Sequence, residues 1–225
     1  MGQKFLYETH MHTSESSKCG QSSAAQQVRA YKKRGYSGII ITDHFINGHC
    51  TCPRHLPWHE KMRHSISGYT AAKKEGDKCG LDVFLGWEFY HKGLEFLTYG
   101  LGLDFLLAHP DIDKKAPAEY SSIVRENGGY IAQAHPYRTS SYIINPGPVD
   151  PSLLDGIEVF NASEYKEHNR KAFEFAKKHG LPMQAGSDSH STHVEYPSGI
   201  AMQKKAESIH DIIAAITSHQ VELLN

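Results

Sequence analysis

The chain has 225 residues, of which 16 are histidines, and a net charge of −1, with a pI of about 7.0. A hydrophobic fraction of 39% and a charged fraction of 22% are typical of a globular protein and argue against a disordered one. The near-zero net charge gives no global positive field that would attract nucleic acid, but net charge does not rule out a local basic patch. No apolar run of about 18 residues and no signal peptide is found. We therefore expect a cytoplasmic protein without a membrane partner, whose four cysteines are reduced.

Short strands alternate with helices along the sequence. The strand segments are apolar, aromatic or β-branched, and several helices end at a glycine. The predicted strands are residues 4–10, 38–42, 82–88, 95–101, 130–135, 156–160, 182–187 and 199–203. The predicted helices are residues 22–34, 57–78, 117–127, 168–179 and 208–219. About seven β-α repeats indicate a parallel sheet with helical crossovers and favour a closed barrel, as a single domain over residues 1–225.

Histidines and carboxylates stand at the carboxyl ends of these strands. In a parallel α/β fold those ends meet at one face, where ligands bind. We therefore expect these side chains to lie close together, whereas histidines on the predicted helices are expected at the surface. The strand-end set is His10, His12, Asp43, His44, Glu88, His135, Asp188 and His190.

The residue types in this set favour a transition metal. Imidazole and carboxylate together select Zn, Mn or Fe over Ca or Mg. In an extended chain the side chains of His10 and His12 project to one side, and Asp188 and His190 have the same spacing. A carboxylate such as Glu88 can bridge two ions, and two metals about 3.5–4 Å apart polarise a phosphoryl group and generate hydroxide at neutral pH.

Five short motifs resemble, in order, those of the PHP (polymerase and histidinol phosphatase) family. They are THMHT at 9–13, ITDH at 41–44, GWE at 86–88, AHP at 134–136 and GSDSH at 186–190. The resemblance spans residues 4–190 and implies a distorted (β/α)7 barrel with metals at the C-terminal ends of the strands. It also implies hydrolysis, usually of phosphate esters.

The resemblance further implies how seven residues would divide among the metals. Glu88 would be shared between two ions. The first metal would be held by His10, His12, Glu88 and Asp188, the second by Glu88 and His135, and a third by His44 and His190.

The sequence departs from the family pattern in two places. Many relatives carry an Asp or His shortly after the H-x-H, where this chain reads SESSKCG. Either Cys19 ligates zinc as a thiolate, or Lys18 stands in place of a cation and the third metal is weak or absent. Beyond Glu88, where relatives often have another His, the candidates are Glu95 and His109, of which we favour Glu95.

Other polar residues are candidates for the substrate and for support of the site. Arg138 could clamp a phosphate or be a solvated loop arginine, and His193 could reach the substrate or the leaving group. Asp43 is expected to orient the site rather than bind metal. Glu158 is expected to support the site, with Asn161 facing the substrate.

The segment 47–64 is rich in histidine and holds Cys50 and Cys52. Because C-x-C is not the spacing of the common zinc modules, we predict a lid or substrate loop, with a second zinc site as the alternative.

The sequence thus predicts a metal-dependent phosphoesterase that acts on a small-molecule or nucleotide phosphate ester through a metal-activated hydroxide. It would bind two or three divalent ions, Zn, Mn or Fe. One alternative keeps the metals and cleaves an amide or a nucleic-acid phosphodiester. Another is a non-catalytic barrel that binds metal or a ligand. The sequence does not set the oligomeric state.

Overall fold

The computed structural model describes residues 3–143, 146–194 and 197–225. Within these ranges the chain forms nine strands and seven α-helices. The strands are β1 (Phe5–Glu8), β2 (Gly38–Ile41), β3 (Asp82–His91), β4 (Leu94–Tyr99), β5 (Tyr130–Gln133), β6 (Gly156–Asn161), β7 (Met183–Gly186), β8 (Gly199–Met202) and β9 (Glu222–Leu224). The helices are α1 (Ala24–Lys33), α2 (Trp58–Ser65), α3 (Ser67–Cys79), α4 (Leu103–Ala108), α5 (Pro117–Glu126), α6 (Lys166–His179) and α7 (Ile209–Thr217).

All eight predicted strands and all five predicted helices have a counterpart. The segment 57–78 forms two helices rather than one, and Ile66 separates them. Helix α4 and strand β9 lie outside the predicted elements. Neither carries a strong sequence signal, because α4 has only six residues and no side-chain cap, and three residues are too few for an alternation pattern.

Local sequence explains several helix ends. Ser23 caps α1 in a capping box with Gln26, so both side chains bond backbone N–H groups of the first turn. Gly80 ends α3 and Gly180 ends α6 at φ values of 72° and 67°, a left-handed conformation that glycine adopts without steric cost. These caps fix where each connection back to the sheet begins.

The strands form one sheet in the order β7-β6-β5-β4-β3-β2-β1-β8-β9. The predicted parallel pairing is correct for β1–β2, β2–β3, β5–β6 and β6–β7. It is wrong for β3–β4, β4–β5 and β1–β8, which are antiparallel. The unpredicted β9 also pairs with β8 in the antiparallel sense. Lys92 and Gly93 join β3 to β4 with φ values of 50° and 90°. A two-residue loop of this kind permits only a hairpin, because parallel strands need a long crossover.

The sheet curves so strongly that the segments following β1 and β7 contact each other. Met11, after β1, forms a parallel bridge with Ser189, after β7, and His12 N donates to Ser189 O at 2.8 Å. The result is an α/β barrel-like fold with a nearly closed sheet. The antiparallel pairs replace the regular β-α repeat that the sequence indicated.

Buried polar contacts tie the interior of the barrel to the end of β1. Tyr99 Oη donates to Thr9 O at 2.7 Å, and Gln184 joins Tyr99 to Tyr130 through bonds of 2.9 and 2.8 Å. All three side chains are fully or almost fully buried. Because buried polar groups are costly unless paired, this chain of bonds holds the strand end that leads to His10 in one position.

No helix in the described parts of the chain is long and apolar enough to cross a membrane.

Candidate metal centre

The side chains predicted to bind metal lie together at one edge of the sheet. They follow β1, β2, β5 and β7, or lie within β3, and all except His190 are buried. In the described residues they form four overlapping groups whose ligand atoms lie within 4.8 Å of one another. The groups are His10, His12 and Glu88; His10, His135 and Asp188; His12, His44 and His190; and His44, Glu88 and Glu95.

The structure separates the two candidates for the additional ligand. Glu95 belongs to one of the groups, and its Oε2 lies 3.6 Å from Nε2 of His135. It reaches the site because antiparallel β4 begins at the edge where β3 ends. His109 instead ends α4, with its Nδ1 2.8 Å from Phe105 O and its ring against the Phe105 ring.

Glu158, on β6, forms hydrogen bonds that hold His10 and His135 in position. Its Oε1 accepts from Nδ1 of His10, and its Oε2 accepts from the backbone N–H of His135, both at 2.9 Å. The bond to Nδ1 directs the other ring nitrogen of His10 toward Glu88, at 3.4 Å. Asn161 donates to Glu158 at 2.9 Å and is fully buried. Asn161 therefore supports the acids and does not face the substrate as predicted.

Glu8 is a supporting residue that the sequence reasoning missed. Its Oε1 accepts from three backbone N–H groups, those of Thr9, His10 and Ser187, at 2.9 to 3.0 Å. Its Oε2 accepts from Tyr31 Oη at 2.8 Å. Burial raises the pKa of Glu8 to about 7, although these hydrogen bonds oppose the rise. The signal was present in the sequence, since Glu8, His10 and His12 share the two-residue period of one strand face.

Asp43 fixes the loop that follows the H-x-H, in the orienting role predicted for it. Its Oδ1 accepts from Thr13 N at 2.6 Å and from Ser17 Oγ at 2.7 Å. Ser17 Oγ in turn accepts from His44 N at 3.0 Å. The loop is closed by Gly20, where an added Cβ would lie 2.4 Å from the Thr13 carbonyl. Only glycine fits at that approach, so the loop backbone is tightly held.

Two of the grouped residues have unusual backbone conformations. His135 has a φ of 27° and Asp188 a φ of 51°, values that non-glycine residues rarely adopt. Strain of this kind costs on the order of 1–3 kcal/mol and persists where the surroundings over-determine the conformation. Both residues come two positions after a strand end, where the strained backbone turns their side chains into the shared site.

The pKa values of Glu88 and Asp188 are held low, whereas those of His10 and His12 shift in opposite directions. Burial opposes ionisation, but His44 and His10 hold the pKa of Glu88 well below its usual value. His10 and Arg138 do the same for Asp188. Burial also opposes charge on His10, yet the facing carboxylates hold its pKa well above the usual value. In contrast, burial and the neighbouring His44 lower the pKa of His12 to about 3.

These residues fit a divalent metal. Within the described residues, Glu88 Oε2 and His44 Nδ1 are buried and have no hydrogen-bond partner, although the two atoms lie 2.7 Å apart. Buried polar atoms are rarely left unpaired, and a cation would satisfy a carboxylate oxygen and an imidazole nitrogen together. Glu88 belongs to two of the four groups, so its two oxygens could serve two ions.

A cavity of about 550 Å³ opens above the groups. It is lined by His44, Asp188 and His190 together with Tyr90 and Tyr142. The predicted loop at 47–64 contributes Asn47, Gly48 and His49 to this wall. The rest of that segment leads into α2, and none of the metal-binding groups found in the described residues includes any of it. The structure therefore gives no support to a second zinc site there.

Arg138 and His193 lie in different surroundings. Arg138 lines the 550 Å³ cavity, and its Nη2 donates to Asp188 Oδ2 at 2.5 Å while its Nε donates to Glu164. Its side chain is only 18% exposed, so it is not a solvated loop arginine. His193 is exposed and lines a neighbouring cavity of about 320 Å³ that also touches Asp188 and His190.

The side chains of Cys19 and Lys18 also lie in different surroundings. The thiol of Cys19 lines the 550 Å³ cavity together with His190 and His44. Burial raises the pKa of this thiol, but these two imidazoles bring it down to about 5. Lys18 is exposed and lines a different cavity, with Cys50 and Cys52. The position after the H-x-H is therefore filled by a thiol rather than by an ammonium group.

Comparisons with solved structures give the same fold. A two-domain protein from Bacteroides vulgatus, described as containing a predicted PHP-like metal-dependent phosphoesterase, is 16% identical with a TM-score of 0.74. The match covers 98% of this chain and 64% of that one. An amidohydrolase from Chromobacterium violaceum with bound sulfate and no metal is 14% identical with a TM-score of 0.61, and the match covers 98% of both chains.

A third similar structure is the lesion-specific endonuclease PfuEndoQ from Pyrococcus furiosus. It is 15% identical with a TM-score of 0.64, over 98% of this chain and 58% of that one. This chain thus spans less than two thirds of the Bacteroides and Pyrococcus proteins. At these identities the likeness concerns the fold.

Among sequence comparisons, no curated protein matches the chain significantly. The family model PHP_C, described as PHP-associated, matches residues 166–193, which include α6 and the GSDSH motif. This match and the structural likeness to a PHP-like protein confirm the resemblance to the PHP family that the five motifs indicate.

Proposed function

We propose that this protein is a metal-dependent hydrolase, and more narrowly a phosphoesterase that acts on a small-molecule or nucleotide phosphate ester. The observation that carries the proposal is the set of four overlapping histidine and carboxylate groups, two of which share Glu88, below one cavity. The similar protein described as PHP-like and metal-dependent supports it. The cavity, at about 550 Å³, is of a size that holds a small molecule.

The metal ligands in this proposal are His10, His12, His44, Glu88, His135, Asp188 and His190, with Glu95 added. When bound, two or three divalent ions of Zn, Mn or Fe would polarise the phosphoryl group and supply a hydroxide nucleophile. Glu158 would hold His10 in the ring orientation that directs Nε2 toward the metal, and Glu8 would hold the backbone of both the H-x-H and the S-D-S-H segments.

Arg138 is proposed to bind the phosphate. It already faces the cavity, and a guanidinium carries more N–H donors than its contacts with Asp188 and Glu164 use. A phosphate oxygen beside Asp188 would therefore meet a positioned donor, and the negative charge that grows in the transition state would be stabilised. His193, from the neighbouring cavity, is assigned to the leaving-group side of the substrate.

A substrate panel tests the proposal. The purified protein would be stripped of metal, reloaded with Zn, Mn or Fe, and assayed on phosphate monoesters, phosphodiesters, amides and short DNA. We expect metal-dependent release of phosphate from small esters, and Arg138→Ala should raise KM for them. Cleavage of amides or DNA alone would replace the phosphoesterase by another hydrolase. No turnover with any metal on any member would contradict the proposal.

A further inference from the structure

The loop between the H-x-H and α1 is bonded on both sides to the rim of the cavity. Lys18 N donates to His49 O at 2.9 Å, and Gln21 N donates to His190 O at 2.7 Å. Cys19 lies between these two bonded residues, and Gly20 closes the loop against Thr13. The backbone position of Cys19 is therefore set by the bonded residues on either side of it.

One of the four groups differs from the others in charge. His12, His44 and His190 form a group of imidazoles alone, with ring centroids 4.4 Å apart for His12 and His44 and 4.5 Å apart for His12 and His190. Each of the other three groups contains at least one carboxylate. A divalent ion held by this group would have no anionic ligand among the three.

The Cys19 thiol lies on the wall of the cavity that this group also faces. It is a free thiol, and His44 and His190 line that cavity with it. A second observation also points to a ligand, since His44 is only 8% exposed and its Nδ1, which lies 2.7 Å from Glu88 Oε2, has no hydrogen-bond partner in the described residues.

We propose that Cys19 is a thiolate ligand of a metal ion held with His44 and His190, and that it makes this position selective for zinc. On binding, the thiol proton is released to solvent and a metal–sulfur bond forms. Thiolate and imidazole favour zinc over manganese, magnesium or calcium. The inference rests on the proposed metal centre, but it concerns one ligand and can fail while the hydrolase stands.

Cobalt substitution tests the thiolate directly. Metal-free protein would be titrated with Co²⁺, and the near-ultraviolet band that arises from sulfur-to-cobalt charge transfer would be recorded alongside the bound cobalt. We expect the band in the wild type and in Cys79→Ser, which removes the other partly exposed thiol, and its loss in Cys19→Ser. A band that persists in Cys19→Ser, or cobalt bound to the wild type without the band, would overturn the inference.

Two further measurements test the inference even if Cys19→Ser does not fold. Cys19→Asp keeps an anionic ligand, so it should bind as much metal as the wild type, lose the charge-transfer band and prefer zinc over manganese less strongly. In the unmodified protein, zinc should slow alkylation of Cys19 and leave that of Cys79 unchanged. Equal alkylation of Cys19 with and without zinc, in protein shown to contain zinc, would count against the thiolate and leave the hydrolase proposal untouched.

Discussion

Two histidine-containing regions of this protein have different surroundings. At the strand ends, His10, His12 and His135 are buried beside carboxylates that come from distant parts of the chain. In the segment 47–64, His55 and His59 are exposed, and the carboxylate near His59 is its own neighbour in sequence, Glu60. The density of histidine is higher in the second region. What distinguishes the first is convergence, because the sheet brings separate strand ends to one edge.

The largest expected effect is on turnover, and it is seen by comparing one histidine substitution in each region. We expect His10→Ala to reduce turnover to background, since His10 belongs to two of the four groups and is fully buried. His59→Ala is the matched control, and as a surface substitution it should change stability by no more than about 0.5 kcal/mol. Steady-state rates and bound metal would be measured for both. If the two variants kept equal turnover, the distinction between the regions would be wrong.

A smaller effect is expected from Glu158, which forms hydrogen bonds to two of the proposed ligands. Glu158→Ala removes the acceptor for Nδ1 of His10 and for the backbone of His135. Loss of such a partner typically costs about 10–100-fold in metal affinity or activity. Affinity would be measured by competition with a chromophoric chelator. Glu167→Ala, on the exposed side of α6, serves as the control, and a Glu158→Ala protein with the control's affinity would show that Glu158 does not orient the site.

The smallest effect concerns stability rather than turnover. The pKa of Glu8 is raised by burial from 4.5 to about 7, so the folded protein holds a proton there that the unfolded chain has lost. Its stabilising contribution is fully present below pH 4.5 and is lost as the pH rises through 7. Glu8→Gln keeps an acceptor for the three N–H groups without the titration. The free energy of unfolding of the variant relative to wild type should therefore rise between pH 4.5 and 7 in denaturant titrations, and a constant difference would contradict the burial argument.

The sequence predicted the strands well because their apolar segments are bounded by glycines and polar clusters. It also predicted which residues come together, since paired motifs such as His10 with His12 stand at strand ends. The direction of β4 was harder to infer, because apolar alternation is the same in parallel and antiparallel strands. Only the short loop at Lys92 and Gly93 carried that information, and it is what brings Glu95 to the site.

The supporting residues were less predictable than the proposed ligands. Glu8 and Asn161 act through hydrogen bonds to residues far away in sequence, 179 positions for Glu8 and Ser187 and 27 for Asn161 and Asp188. The two-residue period places Glu8 on the strand face of His10 and His12, but no local pattern encodes its contact with a residue so distant in sequence. The choice between Cys19 and Lys18 was open for the same reason, since only the closed loop at Gly20 decides which side chain faces the cavity.

The central claim is that convergent strand ends, and not local histidine density, make the metal centre. A crystal structure with anomalous data collected at the metal absorption edges would test it most directly, because such data count the ions, identify them and locate them. We predict at least two ions beside Glu88, with His10, His12 and Asp188 among their ligands. One ion or none at that edge of the sheet, or ions bound within the segment 47–64, would contradict the account.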